Sequence, residues 1–473
     1  MRRLPRRVEW TFALVFLASS CGGRFGKAPV EYQRVVVVTI DTLRADHLQP
    51  YGYARQTSPF IDNLASQGVL FENAAATASH TAPSHASIFT GLRPLRHRVL
   101  SNGDLLPRDL PTLAGEFGAN GFQTAAFVGN SFLKRSVIGF ETFDGELRKG
   151  AETVGLAIDW IESLDSDEAF FLWVHFFDVH EAELEGAAVG KRYYVANRDR
   201  LELSPEEFYA HLAERHGLPN PPPEENFPGI RWESWMDVRP NRLETRAEIV
   251  LQIDDYDSQI SYVDDQIKRL SAVVDGNGFE GASLWVITSD HGEGLGGHSY
   301  RGHDVHIYQE QLHVPLIFYA SNGSLPPRII ETRVSLVDLT PTLLEVLDES
   351  WSDSDGLSLW PAISGQVSEL QDRPVFALRK RMAAKRNKAF ALIEGHYKYI
   401  LHTKLEDEFY DLDTDPNELV NRIESPEAEA YRVRLESMLG EFDLEALMGP
   451  ESQPRLPSET EDELEALGYM GDD

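Results

Sequence analysis

The sequence predicts an α/β fold: a three-layer sandwich around a central, mostly parallel sheet, followed by a smaller C-terminal antiparallel sheet with a helix. Three observations lead there. Apolar, β-rich runs at 35–40, 124–128, 170–174 and 284–288 each stop abruptly at polar residues. Near-continuous runs of this kind describe strands buried on both faces, as in a parallel sheet covered by helices. Between the last two runs, Val250, Ile253, Tyr256, Ile260, Val263, Ile267 and Leu270 recur at three- and four-residue steps, one face of an amphipathic helix. After Gly365 the texture changes to short β-like runs at 375–378, 390–393 and 398–401, separated by turn residues and followed by a helical stretch at 427–439.

Taken in order, the chain opens with an export-type segment. Arg2, Arg3, Arg6 and Arg7 precede an apolar stretch, 10–18, that is shorter than the ~20 residues needed to cross a bilayer. Leu17-Ala18-Ser19-Ser20-Cys21-Gly22 follows. Small residues before a Cys resemble a bacterial lipoprotein processing site, with Cys21 as the lipidated residue; an ordinary secretory signal is the alternative. The expected divisions are a signal segment at 1–27, a catalytic α/β domain at 28–365, a small-sheet subdomain at 366–445 and an acidic tail at 446–473. The expected location is the periplasm or cell envelope, with a lipid anchor to the membrane. Cys21 is the only Cys, so the fold holds without an internal disulfide. A net charge of −32, from 76 acidic against 44 basic residues, argues against nucleic acid as a partner. A Pro-rich stretch, Pro221-Pro222-Pro223-Glu224-Glu225, reads either as an insertion over the site mouth or as a plain surface loop.

Polar residues at the carboxyl ends of parallel strands line a ligand crevice. The pattern therefore puts Asp41, Asn130, His180, Asp290 and His291 along one sheet edge. Asp41, Asp290 and His291 supply two carboxylates and an imidazole for one divalent cation, and Thr81 supplies a hydroxyl. Coordination lowers the pKa of such a hydroxyl and makes it a nucleophile near neutral pH. Ser-His-Asp catalysis is the competing reading, but no Gly-x-Ser-x-Gly elbow surrounds Thr81 or Ser84. Pro83 suits a first helical turn, which puts Thr81 at a helix N-terminus whose amides favour an anion. A sulfate or phosphate ester suits that combination.

Thr81-Ala82-Pro83-Ser84-His85, with Thr90-Gly91 beyond, resembles the sulfatase signature Cys/Ser-x-Pro-Ser-Arg and its Thr-Gly. Asp41-Thr42-Leu43-Arg44 and Ser289-Asp290-His291-Gly292 resemble the two metal-ligand segments of that family. Later stretches at 308–315, 337–342 and 409–416 are similar to its remaining landmarks. The resemblance implies the alkaline phosphatase superfamily, sulfatase branch. It implies Asp41, Asp290, His291 and Thr81 as metal ligands and Thr81 as nucleophile. It puts His85 in place of the supporting Arg, and His180, His303 and Asn130 near the ester oxygens, with His180 or His303 protonating the leaving group. One ion is expected, Ca²⁺, Mn²⁺ or Zn²⁺, with Asp178 as a candidate for a second metal. Asp46, His47, His298, His306 and His313 read as structural or ordinary polar residues.

Two departures bear on mechanism. Formylglycine is made from Cys or Ser, and Thr, with a methyl on its β-carbon, cannot give that aldehyde. Thr42 stands where many sulfatases have a second Asp. The expected activity is thus metal-dependent hydrolysis of a sulfate or phosphate ester, its alcohol a glycan or lipid among others. Phosphodiester hydrolysis or phosphotransfer is an alternative. So is a degenerate, non-catalytic lipoprotein that binds sulfated or phosphorylated glycans.

Overall fold

The run that ends at Asp41 forms the central strand β1 (Tyr32–Ile40), flanked on both sides by parallel neighbours. The computed structural model describes residues 32–131, 133–180, 246–276, 280–296, 298, 301–380 and 387–448. The N-terminal segment with Cys21, the Pro-rich stretch at 221–225 and the chain beyond 448 lie outside the described residues.

The other apolar runs become β3 (Gln123–Val128), β5 (Phe170–Phe176) and β6 (Ala282–Thr288). With β2 (Val69–Ala75), β4 (Thr142–Gly145), β9 (His313–Ala320), β10 (Arg328–Ile330) and β11 (Val334–Ser335), they build one sheet in the order β10-β2-β9-β6-β1-β5-β3-β4. β11 pairs with β2 off that path, and β7 (Gly294–Leu295) and β8 (Arg301–Gly302) form a separate antiparallel pair. Among these, β9 runs antiparallel to both its neighbours, and the remaining pairings are parallel. Pro315 lies inside β9, which its missing N–H would normally forbid in a central strand. It is accommodated where the register with β2 shifts between Phe71 and Ala74, a bulge that needs no donor there.

Helices cover both faces, as three layers require. On one face α1 (Pro59–Gln67), α3 (Gly150–Glu162) and α4 (Arg246–Val274) pack Ile61, Val154, Ile161, Ile253, Ile260 and Ile267 against Val36, Val38, Leu172, Val174 and Ile287. From Ile253 to Leu270, the helical stripe read from the sequence is therefore core, as its spacing implies. On the other face, α2 (Thr81–Thr90) sets Phe89 against Trp173 of β5, with ring centroids 4.6 Å apart. Every residue of α2 is buried, and Gly91 ends it in the left-handed conformation at φ 69°.

The C-terminal runs form the expected antiparallel sheet, β12 (Val375–Arg379), β13 (Ala389–Glu394), β14 (Tyr397–His402) and β15 (Glu408–Asp411), in that order. The helix beside it, α6 (Ala428–Leu439), follows α5 (Leu339–Glu345) in the chain and buries Leu435 and Leu439 against Phe390, Leu392 and Phe409. The fourth strand is the addition to the sequence reading. This sheet also reaches the chain that leads into α2: Leu378 N–H donates to the Thr77 carbonyl at 2.9 Å.

The turn after β1 holds Asp41 in place. Thr42 sits at φ 57°, an uncommon conformation for a β-branched residue. Tyr256 of α4 pins the turn, donating its hydroxyl to the Thr42 carbonyl (2.7 Å) and accepting from Arg44 N–H (2.9 Å). Tyr256→Phe leaves both buried backbone groups without that partner. The expected loss is about 1–3 kcal/mol, read as a lower denaturant midpoint at unchanged slope.

Candidate metal centre and active site

In-register pairing of β1 with β6 brings their carboxyl ends side by side, so that Asp41 meets Asp290 and His291. Among the described residues, these three form the one group of His, Cys, Asp or Glu whose donor atoms lie within 4.8 Å of one another. All three are fully buried. His291 Nε2 lies 3.8 Å from Asp41 Oδ1 and 3.4 Å from Asp290 Oδ2. Its Nδ1 is 3.0 Å from the Gly292 carbonyl. A carbonyl only accepts, so Nδ1 carries a hydrogen and Nε2 is the nitrogen that faces the carboxylates. Gly292 has no room for a side chain, since a Cβ would meet the Glu310 carbonyl oxygen at 2.1 Å.

Thr81 completes the group from the other side of the crevice, its Oγ1 3.2 Å from His291 Nε2. It is the first residue of α2, with extended His80 as its N-cap. The helix end offers an anion less than its dipole suggests. Ala82 N–H already donates to Asn102 Oδ1 at 2.9 Å, and Pro83 has no N–H. Asn102, in a loop, carries no sequence signal that would have singled it out.

His85, one turn into α2, supports this residue. Its Nδ1 lies 2.8 Å from the Thr81 carbonyl and 3.7 Å from Asp290 Oδ2, and its Nε2 lies 3.0 Å from Thr39 Oγ1. Thr39 also accepts from Trp173 Nε1 (2.8 Å) and lies 3.0 Å from His175 Nδ1. His175 Nε2 lies 3.3 Å from Asp41 Oδ2. Burial pushes both histidines down to about 4, so the rings are neutral at pH 7. Thr39 then has one hydrogen to give. His85 Nδ1 spends its own on the Thr81 carbonyl, so Thr39 donates to His85 Nε2 and accepts from His175 Nδ1. This leaves the His175 Nε2 lone pair facing a carboxylate oxygen, a contact that a proton on Asp41 or a cation relieves. Burial and the neighbouring Asp290 do push the Asp41 carboxyl well above the usual range. Thr39 and His175 were not among the sequence candidates. Their signal was a polar residue inside a strand run that is otherwise apolar, and the two are direct partners in the β1–β5 register.

A second group of histidines flanks the first. His180 Nε2 lies 2.8 Å from His303 Nε2, and the His303 ring centroid is 4.6 Å from that of His291. His303 Nδ1 is 2.6 Å from Asp304 Oδ1. Burial would lower His303, but Asp304 outweighs it and pushes the ring up to about 10. His180 goes the other way, held well below its usual value by burial and by His303. The structure thus joins the two sequence-predicted histidines directly. Asn130 is buried at the end of β3, two strands from β1. Asp178 Oδ1 accepts the first N–H of α3, from Gly150, at 3.0 Å, and its buried Oδ2 accepts no hydrogen bond among the described residues. His47 bonds Asp257 (2.8 Å) and Asp46 pairs with Arg44 (2.6 Å), structural roles as expected.

The donor set fits a divalent cation. Neither oxygen of Asp41, nor Oδ2 of Asp290, accepts a hydrogen bond among the described residues, although all are buried. Two such carboxylates side by side are costly without a counter-charge. Asp41→Asn removes one. The variant in chelator should melt at or above the wild-type temperature, because a buried charge is gone. Wild type should gain stability on adding a divalent salt, about 2.7 kcal/mol at a hundredfold excess over Kd. A rise of equal size in Asp41→Asn, followed by calorimetry, would contradict this assignment.

Comparison with known proteins gives a consistent pattern. The sulfatase family model matches residues 33–349, and a model of the C-terminal part of N-sulphoglucosamine sulphohydrolase matches residues 297–444. An arylsulfatase of Clostridium perfringens is 23% identical over 458 residues, spanning 85% of this chain and 92% of the relative. Among solved structures, a 2-O GAG sulfatase superposes with a TM-score of 0.67 at 19% identity, covering 90% of this chain and 94% of the other. The phosphonate monoester hydrolase of Agrobacterium radiobacter does so with a TM-score of 0.65 at 20% identity, covering 86% and 95%.

Proposed function

The chain belongs to the sulfatase family, and on that premise we propose that it is a metal-dependent hydrolase of sulfate or phosphate esters with Thr81 as its nucleophile. The observation that carries this reading is the position of Thr81 Oγ1, 3.2 Å from His291 Nε2 and beside carboxylate oxygens that accept no hydrogen bond among the described residues. Asp41, Asp290, His291 and Thr81 would hold the ion. When bound, it supplies positive charge that favours the Thr81 alkoxide and the charge developing on the ester oxygens.

The chain's own residues account for the rest. His85 fixes the Thr81 backbone through its carbonyl, so the hydroxyl is presented at one place. Thr81 Oγ1 forms a bond to sulfur or phosphorus as the ester oxygen leaves, and the paired His180 and His303 hold the proton that oxygen needs. Water then displaces Thr81 and releases sulfate or phosphate. Thr in this position supports direct nucleophilic attack over an aldehyde route. It favours phosphate mono- or diesters, while the family favours sulfate. We place this activity on an exported, lipid-anchored chain, on the strength of the Arg-rich N-terminus, the apolar run and Cys21.

Thr81→Ala should abolish turnover of aryl sulfate, aryl phosphate and phosphodiester substrates, each offered with Ca²⁺, Mn²⁺, Mg²⁺ and Zn²⁺. Thr81→Ser, which keeps the hydroxyl, should retain measurable turnover. Undiminished activity in Thr81→Ala would sink the mechanism, and the substrate turned over fastest by wild type names the ester.

A further inference from the structure

We propose that Asp304 is the positioning residue for the leaving-group histidines, one carboxylate oxygen fixing the tautomer of His303 while tying it to the segment that carries the nucleophile. The inference rests on the ester-hydrolase reading above and deepens it.

Asp304 Oδ1 faces two imidazoles at once. It lies 2.6 Å from His303 Nδ1 and 3.3 Å from Nε2 of His80, the residue before Thr81. A carboxylate only accepts, so His303 Nδ1 carries hydrogen, while the approach to His80 is electrostatic. With Nδ1 of His303 committed to Asp304, only its Nε2 is left for chemistry, and that atom meets His180 Nε2 at 2.8 Å. Two nitrogens at that distance share one proton. The backbone is bent to this purpose. Asp304 sits at φ 76°, outside the comfortable range of a residue with a side chain, and its N–H donates to the Ser79 carbonyl at 3.3 Å. Side chain and backbone of one residue thus both reach the 79–81 segment. Strain held by surrounding contacts at such a place is a mark of function.

In the first step, the bond from Thr81 Oγ1 to sulfur or phosphorus forms and the bond to the ester oxygen breaks. That oxygen takes the proton shared by His303 and His180. In the second step the neutral pair takes a proton from the attacking water, and the Thr81 oxygen departs with its electron pair. Asp304 keeps its charge throughout and takes no proton. Its part is to keep the acid in one tautomer and one orientation, as the buried carboxylate does in a catalytic triad.

The test is Asp304→Asn in the full chain, assayed with a series of esters graded by leaving group. Asn can donate to His303 Nδ1 and so allows the wrong tautomer. Alkyl esters, which depend on protonation, should lose about 10²-fold in kcat with little change in KM, while nitrophenyl esters lose far less. In a His303→Ala background the same substitution should cost nothing further. Asp304→Gly, which suits the backbone angle, should show the same pattern and guards against a folding defect. Equal losses across all leaving groups, or additive losses in the double variant, would overturn the proposal. Independently of turnover, ¹⁵N NMR of the histidines should show His303 protonated at Nδ1 in wild type and altered in Asp304→Asn. An unaltered His303 signal refutes the positioning role. Wild type inert towards every ester, with that signal altered, instead refutes the ester-hydrolase reading and leaves the Asp304 contact standing.

Discussion

Two carboxylates, Asp41 and Asp290, are buried against each other at the ends of adjacent parallel strands, and the rest of the site answers to the charge they concentrate. Their backbones are fixed by β1 and β6, strands with no freedom to separate because both are interior to the sheet. Close-packed interiors do not deform to relieve such a contact. Relief comes from what is placed around it: imidazoles on several sides and a donor set open to a cation, while burial and Asp290 raise the Asp41 carboxyl. The arrangement costs stability in the metal-free chain and yields a site already shaped for its ion.

His85 shows how the site departs from the signature it resembles. Where the signature has Arg, a guanidinium would carry a permanent charge and several donors. The imidazole is shorter and neutral when buried, so it cannot balance a carboxylate unaided. The structure supplies the difference by extension: His85 to Thr39, Thr39 to His175, and His175 to Asp41. A hydroxyl with one hydrogen sets the direction of that chain. The loss of Arg is thus matched by a polar pair, Thr39 and His175, in the strand stretches 35–40 and 170–176 that are otherwise apolar.

The segment that carries Thr81 is braced from a second side. Backbone hydrogen bonding from Leu378 to Thr77, and from Asp304 to Ser79, fixes the approach to α2 from the small sheet and from the loop that carries His303. A buried helix whose first amides are already spent on Asn102 or absent at Pro83 contributes position more than charge. The helix end is accordingly a rigid mount for Thr81, and the positive charge an anion requires must come from elsewhere in the crevice.

Much of this was legible in the sequence because it depends on local pattern. Apolar runs with polar ends gave the strands and the edge on which Asp41, Asp290 and His291 lie, and the β-methyl of Thr81 cannot give the aldehyde that Cys or Ser gives. Two strands were less legible: β9, beside β6, contains a proline that only its bulge excuses, and β15, at the edge of the small sheet, is four residues long. What only the tertiary structure decided were contacts between segments far apart in the chain. Asn102 on Ala82, Asp304 on His80, His175 on Asp41 and the occupation of Asp178 by a helix N-terminus each depend on where loops land, and no periodicity encodes that. Strand ends are fixed by burial, which composition records; the hydrogen-bond partners of the residues there are fixed by geometry, which it does not.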